Sequence, residues 1–320
     1  MSIRDRALLL ALTTLAPLAF AQAPGRSVAV TFDDLPANPA GTLSSALPVW
    51  REMTVRLLAT FESAQMPVVG FVNEGKLDVK DETAADRDAR IAVLKLWTDA
   101  GFELGNHSYS HPSLNRTPIE EFEQDVIRGE PVTRALLGAG GKKLRFFRHP
   151  FLQVGLELEK RRAFEMFLKQ RGYTIAPVTI DNDEWIYAAV YADALRKRET
   201  ASASRIAEDY LRYMMQVVEF IEGVSRNLVG REIAQVLLVH ANQLNADHFG
   251  ALAQRIKERG YRFVTLDEAL ADPAFGRPDA YVGASGISWL HHWEITEGRK
   301  RSPSPDPPDW ITKAYEGLGR

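Results

Sequence analysis

The chain has 320 residues, of which 45% are hydrophobic, a formal net charge of −3 and no cysteine. This length and composition allow one domain of about 250 residues with an extension, or two domains, and the near-neutral charge excludes a basic nucleic-acid surface or a polybasic membrane contact. Without cysteine there is no disulfide or thiolate chemistry, so histidine and carboxylate side chains must hold any bound metal.

The N-terminus has the pattern of a secretory signal peptide. Arg4 and Arg6 precede an apolar run, 7–20, that ends in Ala19-Phe20-Ala21. This predicts a signal peptide over residues 1–21 and export to the periplasm or outside the cell. The run is shorter than the roughly 20 residues of a bilayer span, so no stable membrane insertion is expected after cleavage. An uncleaved anchor and a buried helix are the alternatives.

Seven strand-like segments then alternate with helical segments, which predicts a parallel α/β fold. The strands are expected at 27–32, 67–72, 102–106, 143–148, 173–180, 235–239 and 261–265. The helices are expected at 43–65, 86–100, 118–137, 156–171, 184–198, 203–228 and 246–259, with a short one at 267. Thr117 is expected to cap the third helix, with Pro118 at its first position. Several strands end in polar residues, and in parallel α/β barrels the active site lies at the C-terminal ends of the strands.

The periodic pattern ends near residue 272, where a Gly- and Pro-rich sequence begins. We expect a catalytic domain over 22–272 and an irregular C-terminal extension over 273–320 that packs on the barrel. Trp289 and Trp293 are expected to anchor this extension, and a carbohydrate-contacting flap is the alternative. The helical segment 186–234 is interpreted as an insertion that adds core packing rather than one that shapes the substrate site.

His107 and His111 are candidate metal ligands because they stand four residues apart just after a predicted strand. On a helical turn, side chains at this spacing share one face and can reach one ion. Asp34 follows another strand end, so these three residues would form a three-ligand site with open positions, as a catalytic metal site requires. The alternatives are surface or capping histidines, and an Asp33-Asp34 pair that only begins a loop or caps a helix.

Five short motifs extend this pattern from strand end to strand end. They are Thr31-Phe32-Asp33-Asp34, Asn106-His107-Ser108-Tyr109-Ser110-His111-Pro112, Arg148-His149-Pro150-Phe151, Asp181-Asn182-Asp183-Glu184-Trp185 and Leu238-Val239-His240. In sequence and order they resemble the five motifs of the polysaccharide deacetylases of the NodB-homology type, carbohydrate esterase family 4. The resemblance implies a distorted (β/α)7 barrel, here with a helical insertion. It also implies removal of an N-acetyl or O-acetyl group from a glycan such as peptidoglycan, a chitooligosaccharide or an exopolysaccharide.

The resemblance also implies a role for each matched residue. Asp34, His107 and His111 would hold one divalent metal, with zinc expected and cobalt or nickel as alternatives. Asp33 would be the general base and His240 the general acid.

Further roles follow for the residues around these groups. Arg148 would orient Asp33, and the backbone N–H of Phe151 would help to stabilise the oxyanion. Trp185 and Leu238 would enclose the acetyl methyl group. The family usually has Asp directly before this Trp, as the partner of the Arg. Glu184 stands there in this chain, so Asp183 or Glu184 is expected to pair with Arg148.

Two other functions remain open from the sequence alone. One is a hydrolase of the same architecture that acts on a non-sugar amide, although a signal peptide argues against it. The other is a glycan-binding protein without catalysis, although both Asp33 and His240 are present.

Overall fold

The computed structural model of the protein describes residues 25–319. The predicted signal peptide therefore lies outside the described residues. Within residues 25–319, no helix is both long and apolar enough to cross a membrane.

Among residues 25–319, seven parallel strands form one sheet. They are β1 (Ser27–Leu35), β2 (Val68–Val72), β3 (Glu103–Asn106), β4 (Phe146–Phe147), β5 (Thr174–Ile175), β6 (Gln235–His240) and β7 (Arg262–Phe263). Their order is β5-β4-β3-β2-β1-β6, and β7 pairs with the beginning of β1. Each strand overlaps a segment that the sequence predicts as a strand.

One short segment, 174–180, borders both edges of this sheet. At one edge β5 pairs with β4, and Ala176 N donates to Phe147 O at 2.8 Å. At the other edge Ile180 forms an isolated parallel bridge with Leu237 of β6. The sheet is therefore curled into a half-barrel whose open side is spanned by a few irregular residues. This confirms the distorted barrel that the sequence predicts.

Eleven α-helices surround the sheet in the described residues. They are α1 (Leu47–Ser63), α2 (Ala84–Asp99), α3 (Ile119–Arg128), α4 (Pro131–Ala139), α5 (Leu158–Gln170), α6 (Glu184–Arg196), α7 (Thr200–Val229), α8 (Gln243–Glu258), α9 (Leu266–Leu270), α10 (Trp289–Thr296) and α11 (Asp309–Glu316). The single helix predicted over 118–137 is wrong, because Gly129 ends α3 and Pro131 begins α4. Proline suits that first position because the N–H it lacks would have no helical partner there. Thr117 is not the cap, since Pro118 precedes the first helical residue.

Alternate residues of β1 face two apolar layers. Phe32 packs outward in an aromatic group with Phe61 of α1 and Phe249 of α8, at ring-centroid distances of 4.9 and 5.0 Å. Ala29 faces inward and packs with Phe71 and Val236 in a smaller core inside the curled sheet. This two-sided burial explains why β1 reads as a nearly continuous apolar run.

The C-terminal extension, residues 273–319, is more ordered than predicted. The irregular structure expected from the sequence is wrong for α10 and α11, whereas 299–308 contains no helix or strand. The first six residues of α10 are all buried, so α10 shows no amphipathic period that could identify it. The extension bonds to the open side of the barrel: Trp289 N donates to Val178 O and Ser288 Oγ to Thr179 O, both at 2.7 Å.

Candidate active site

The C-terminal ends of the strands surround a cavity of about 500 Å³. It collects residues from all five motifs and from the C-terminal extension. Of the predicted site residues, Asp33, Asp34, His107, His111, Phe151, Asp183, Trp185, Leu238 and His240 line it. Arg148 and Glu184 are fully buried close to it. The structure therefore brings the predicted residues together around one space.

Asp34, His107 and His111 form a group that could hold a metal ion. One ligand atom from each lies within 4.8 Å of the others. His107 Nδ1 donates to Arg148 O at 2.9 Å, which leaves the lone pair of Nε2 for an ion. Burial lowers the pKa of both histidines, so both are neutral, as metal ligands must be. Two imidazoles and a carboxylate fit a divalent metal such as zinc.

The backbone that carries these three residues is bent sharply. Asp34, Ser108 and His111 have φ of 71°, 67° and 57°, in the left-handed region that non-glycine residues rarely adopt. The spacing of the histidines predicts a helical turn, and this is wrong, because 107–111 is a loop. Asn106 Oδ1 accepts from Ser108 N at 2.6 Å, and Ser108 Oγ from His111 N at 3.1 Å. These side-chain bonds, rather than helical periodicity, bring the two imidazole rings to a centroid distance of 4.8 Å.

Three residues that the sequence did not indicate hold the ligands in place. Lys76 Nζ donates to both the carbonyl oxygen and Oδ1 of Asp34, each at 2.9 Å. Asn38 Nδ2 donates to Asp34 Oδ2 at 2.8 Å. Asn73 Nδ2 donates to His107 O at 2.6 Å. Burial opposes ionisation of Asp34, but the charges of Lys76 and His240 help to hold its pKa below the usual range.

Asp33 lies beside this group and is only 2% exposed. Its Oδ2 lies 3.5 Å from Arg148 Nη1 and 3.8 Å from His107 Nε2. Within the described residues, its Oδ1 has no hydrogen-bond partner although it is buried. Burial raises the pKa of Asp33 to about 6, against the lowering effects of Arg148 and His240. A buried carboxylate with a free oxygen and a pKa near neutrality suits a general base.

Arg148 pairs with neither Asp183 nor Glu184, the two partners that the sequence predicts for it. Besides Asp33, its guanidinium donates to Thr31 Oγ1 at 2.9 Å and lies over the Phe71 ring. The expected pairing with Glu184 or Asp183 is wrong, because Arg148 arises inside the barrel from β4, whereas Glu184 begins α6 next to the end of β6.

Glu184 instead holds His240. Its Oε2 lies 2.9 Å from His240 Nδ1, while Asn242 and Asn245 donate to Oε1. Burial opposes the charged imidazolium, but the hydrogen bond and charge of Glu184 raise the pKa of His240 to about 9. His240 is therefore protonated at neutral pH and can act as an acid. Asn242 and Asn245 are both buried.

Aromatic side chains form the walls of the cavity. Phe151 is 51% exposed and lies edge-on to the His111 ring at 4.3 Å. Trp185 lies edge-on to Tyr315 of α11 at 5.2 Å. His149 also lines the cavity, but it packs against Phe164 and burial lowers its pKa to about 3, so it is neutral and not suited to acid catalysis.

Comparison with known sequences gives a family for the region that contains the first motifs. Residues 21–165 match the family model described as polysaccharide deacetylase. The peptidoglycan-N-acetylglucosamine deacetylase of Bacillus cereus is 24% identical over 180 residues, 54% of this chain and 51% of that protein. The chain thus spans about half the length of this curated relative.

Comparison with solved structures finds polysaccharide deacetylases and family 4 carbohydrate esterases. A polysaccharide deacetylase from Bacillus cereus has 18% identity and a TM-score of 0.49, over 75% of this chain and 91% of that one. A family 4 carbohydrate esterase from Streptomyces lividans has 18% identity and a TM-score of 0.46, over 78% and 97%. A family 4 pseudoenzyme from Bacillus anthracis has 15% identity and a TM-score of 0.46, over 77% and 66%.

The match over residues 21–165 contains the first three motifs and agrees with the family that the five motifs predict. Members of this family are hydrolases of carbon–nitrogen bonds other than peptide bonds, which is the enzyme class that the sequence predicts.

Proposed function

We propose that this protein is a metal-dependent carbohydrate deacetylase that hydrolyses N-acetyl or O-acetyl groups of a glycan. One observation carries the proposal. A single cavity brings together three residues that could hold a metal ion, a buried carboxylate with a free oxygen and a histidine held by a carboxylate. These are the groups that amide or ester hydrolysis needs: a Lewis acid, a base and an acid.

Asp34, His107 and His111 would hold the metal, with zinc expected from the donor set and cobalt or nickel as alternatives. When bound, the metal supplies polarisation of the acetyl carbonyl and increases the acidity of water. Lys76, Asn38 and the Arg148 carbonyl orient the ligands, since each is hydrogen-bonded to one of them.

Asp33 accepts the proton of the attacking water, and Arg148 holds its Oδ2 while Oδ1 stays free. His240 donates a proton to the departing amine or alcohol, because Glu184 keeps it protonated. The two groups thus begin the reaction in opposite protonation states, which hydrolysis of a poor leaving group requires.

The walls fit a small acyl group attached to a sugar. Trp185 and Leu238 line the cavity and would enclose the acetyl methyl. The Phe151 N–H would stabilise the oxyanion, and Asp183 at the rim would accept hydrogen bonds from sugar hydroxyls. The Glu184 carboxylate bonds to His240, Asn242 and Asn245, so Glu184 would orient the acid rather than contact the substrate.

The name of the Bacillus cereus relative supports a glycan of the cell wall type as substrate, with chitooligosaccharides and exopolysaccharides as further candidates. Such substrates lie outside the cytoplasm, in agreement with the export that the N-terminal sequence predicts.

Acetate release from a panel of acetylated glycans tests this proposal, with metal-loaded and chelated protein compared side by side. We expect release only from the loaded protein. Asp33→Asn should keep the metal and nearly abolish turnover, whereas His107→Ala should lose the metal. Protein that binds no zinc or cobalt, or Asp33→Asn protein with near wild-type rates, would contradict the proposal.

A further inference from the structure

The C-terminal extension contacts both aromatic walls of the cavity. Phe151 and Trp185 come from different parts of the barrel, after β4 and at the start of α6. Each is in contact with a residue of the extension. Gly286 lies behind Phe151, and Tyr315 lies against Trp185.

The contact at Phe151 is a close approach of two backbones. A Cβ atom on Gly286 would lie 1.7 Å from the carbonyl oxygen of Phe151 and 2.9 Å from the carbonyl carbon of Leu152. Only glycine permits this approach. Phe151 and Leu152 themselves have positive φ, 56° and 53°, so this loop is held in a sparsely populated conformation. Asn115 and Gln153 fix the extension here by donating to Gly283 O and Ala284 O.

The contact at Trp185 is a ring contact. Tyr315 meets Trp185 at 5.2 Å with an interplanar angle of 86°, the edge-to-face geometry that aromatic pairs favour. Burial and Asp306 raise the pKa of Asp183, and Trp185 opposes this rise, so Trp185 also interacts with an acidic residue of the fourth motif.

The extension also brings charge to the same rim. Arg301 lowers the pKa of Asp181, which burial and Asp183 together raise to about 7. Asp306 adds to the effect of burial in raising the pKa of Asp183. Both charged residues belong to 299–308, the irregular part of the extension that precedes α11.

We propose that the C-terminal extension determines substrate specificity by fixing Phe151 and Trp185 as two stacking surfaces for neighbouring sugars of a glycan chain. Gly286 and Tyr315 are its positioning residues. The inference rests on the proposed function for the glycan, and it adds that residues outside the five motifs position two walls of the site.

The test uses the full chain and N-acetylglucosamine oligomers of one to five sugars. Affinity is measured by calorimetry in an Asp33→Asn background, so that binding is read without turnover. KM and kcat are measured in the wild-type background, together with hydrolysis of 4-nitrophenyl acetate. We expect the tetramer to bind more tightly than the monomer.

Tyr315→Ala should weaken tetramer binding and raise its KM by about tenfold, the factor that loss of one good aromatic pair produces. Its kcat and its hydrolysis of the small ester should change less than its tetramer affinity does, because Leu238 still lines the acetyl pocket. Tyr315→Phe keeps the ring and should restore affinity. Lys313→Ala, on the same helix but exposed, is the matched control and should bind as the parent does. Circular dichroism and thermal melting confirm that each variant is folded.

Gly286→Ala tests the second contact independently. It should weaken tetramer binding and also lower kcat, because the displaced Phe151 adjoins His111. Equal monomer and tetramer affinity, or unchanged tetramer affinity in folded Tyr315→Ala and Gly286→Ala proteins, overturns the inference. If the wild-type protein binds the tetramer but releases no acetate, the proposed function fails and the binding results still decide the role of the extension.

Discussion

His107 and His240 line the same cavity but differ in charge: the His107 ring is neutral, whereas the His240 ring is protonated. Both are buried, and both place Nδ1 2.9 Å from an oxygen. For His107 the oxygen is the carbonyl of Arg148, and burial keeps the ring neutral. For His240 it is the Glu184 carboxylate, which raises the pKa of the ring to about 9. The partner of Nδ1, rather than burial, decides whether a histidine here serves as metal ligand or as acid.

The largest expected effect separates these two roles directly. His107→Ala should abolish both metal binding and turnover, since one of three ligands is lost. His240→Ala should bind one metal ion as the wild type does and lose about 10²- to 10⁴-fold in kcat, the usual contribution of a general acid. Metal content by mass spectrometry and acetate release measure the two effects. Loss of metal from both variants would contradict the assignment of different roles to His107 and His240.

The partner of His240 gives the second prediction, a change in pH dependence. The folded pKa of His240 is raised, so its protonated form is lost, and turnover falls, as pH rises through about 9. Glu184→Gln removes the charge, and the pKa should return toward the ordinary value of about 6.5, which lowers the protonated fraction at pH 8 by about 30-fold. The alkaline limb of the kcat profile should move down in pH accordingly.

Glu184→Asp is the matched control because it keeps the charge at the same position. Its alkaline limb should stay closer to that of the wild type than the limb of Glu184→Gln does. If Glu184→Gln leaves the alkaline limb near pH 9, another group is the acid.

The cavity has a ligand half, formed by Asp34, His107 and His111, and an acid half, formed by Glu184 and His240. The sequence predicts the ligand half better than the acid half. Asp34, His107 and His111 could be named because they lie within short motifs that follow strands, so local sequence carries the information. The loop conformation that brings the two histidines together could not be predicted, because left-handed backbone at Ser108 and His111 leaves no periodic signal in the sequence. All seven strands were predictable for the same reason, because buried parallel strands are short apolar runs with polar ends.

The parts that sequence failed to predict depend on contacts between distant segments. Glu184 and His240 are separated by 56 residues, and nothing local shows that they meet. Lys76 lies in a stretch without a motif, yet it donates twice to Asp34. Tyr315 and α10 belong to a Gly- and Pro-rich tail whose helices are short, and α10 is too fully buried to be amphipathic.

A third prediction concerns the ligand half. Asn73 Nδ2 holds the carbonyl of His107 at 2.6 Å. Asn73→Ala should weaken metal affinity by about tenfold, the lower end of the effect of losing such an orienting partner. The pH limits of kcat in saturating metal should not move, because Glu184 and His240 are untouched. Asn227→Ala, an exposed asparagine on α7, is the control for the titration by calorimetry. Unchanged affinity would show that the His107 loop holds itself in place.

The smallest expected effect lies in the acid half, where Asn245 matches Asn73 in kind. Its Nδ2 donates to Glu184 Oε1 at 2.8 Å and to His240 O at 2.9 Å. Asn245→Ala removes two of the bonds that orient the pair, while the bond between Glu184 and His240 remains, so kcat should fall by about fivefold, the equivalent of about 1 kcal/mol, with metal affinity unchanged. Tyr210→Phe, which removes only the hydroxyl that donates to Asn245 Oδ1, should do less. Metal affinity should not change, because the remaining side-chain contacts of Glu184 are to His240 and Asn242 and none is to a metal ligand. A loss of metal affinity in Asn245→Ala would therefore mean that the two halves of the cavity are mechanically coupled.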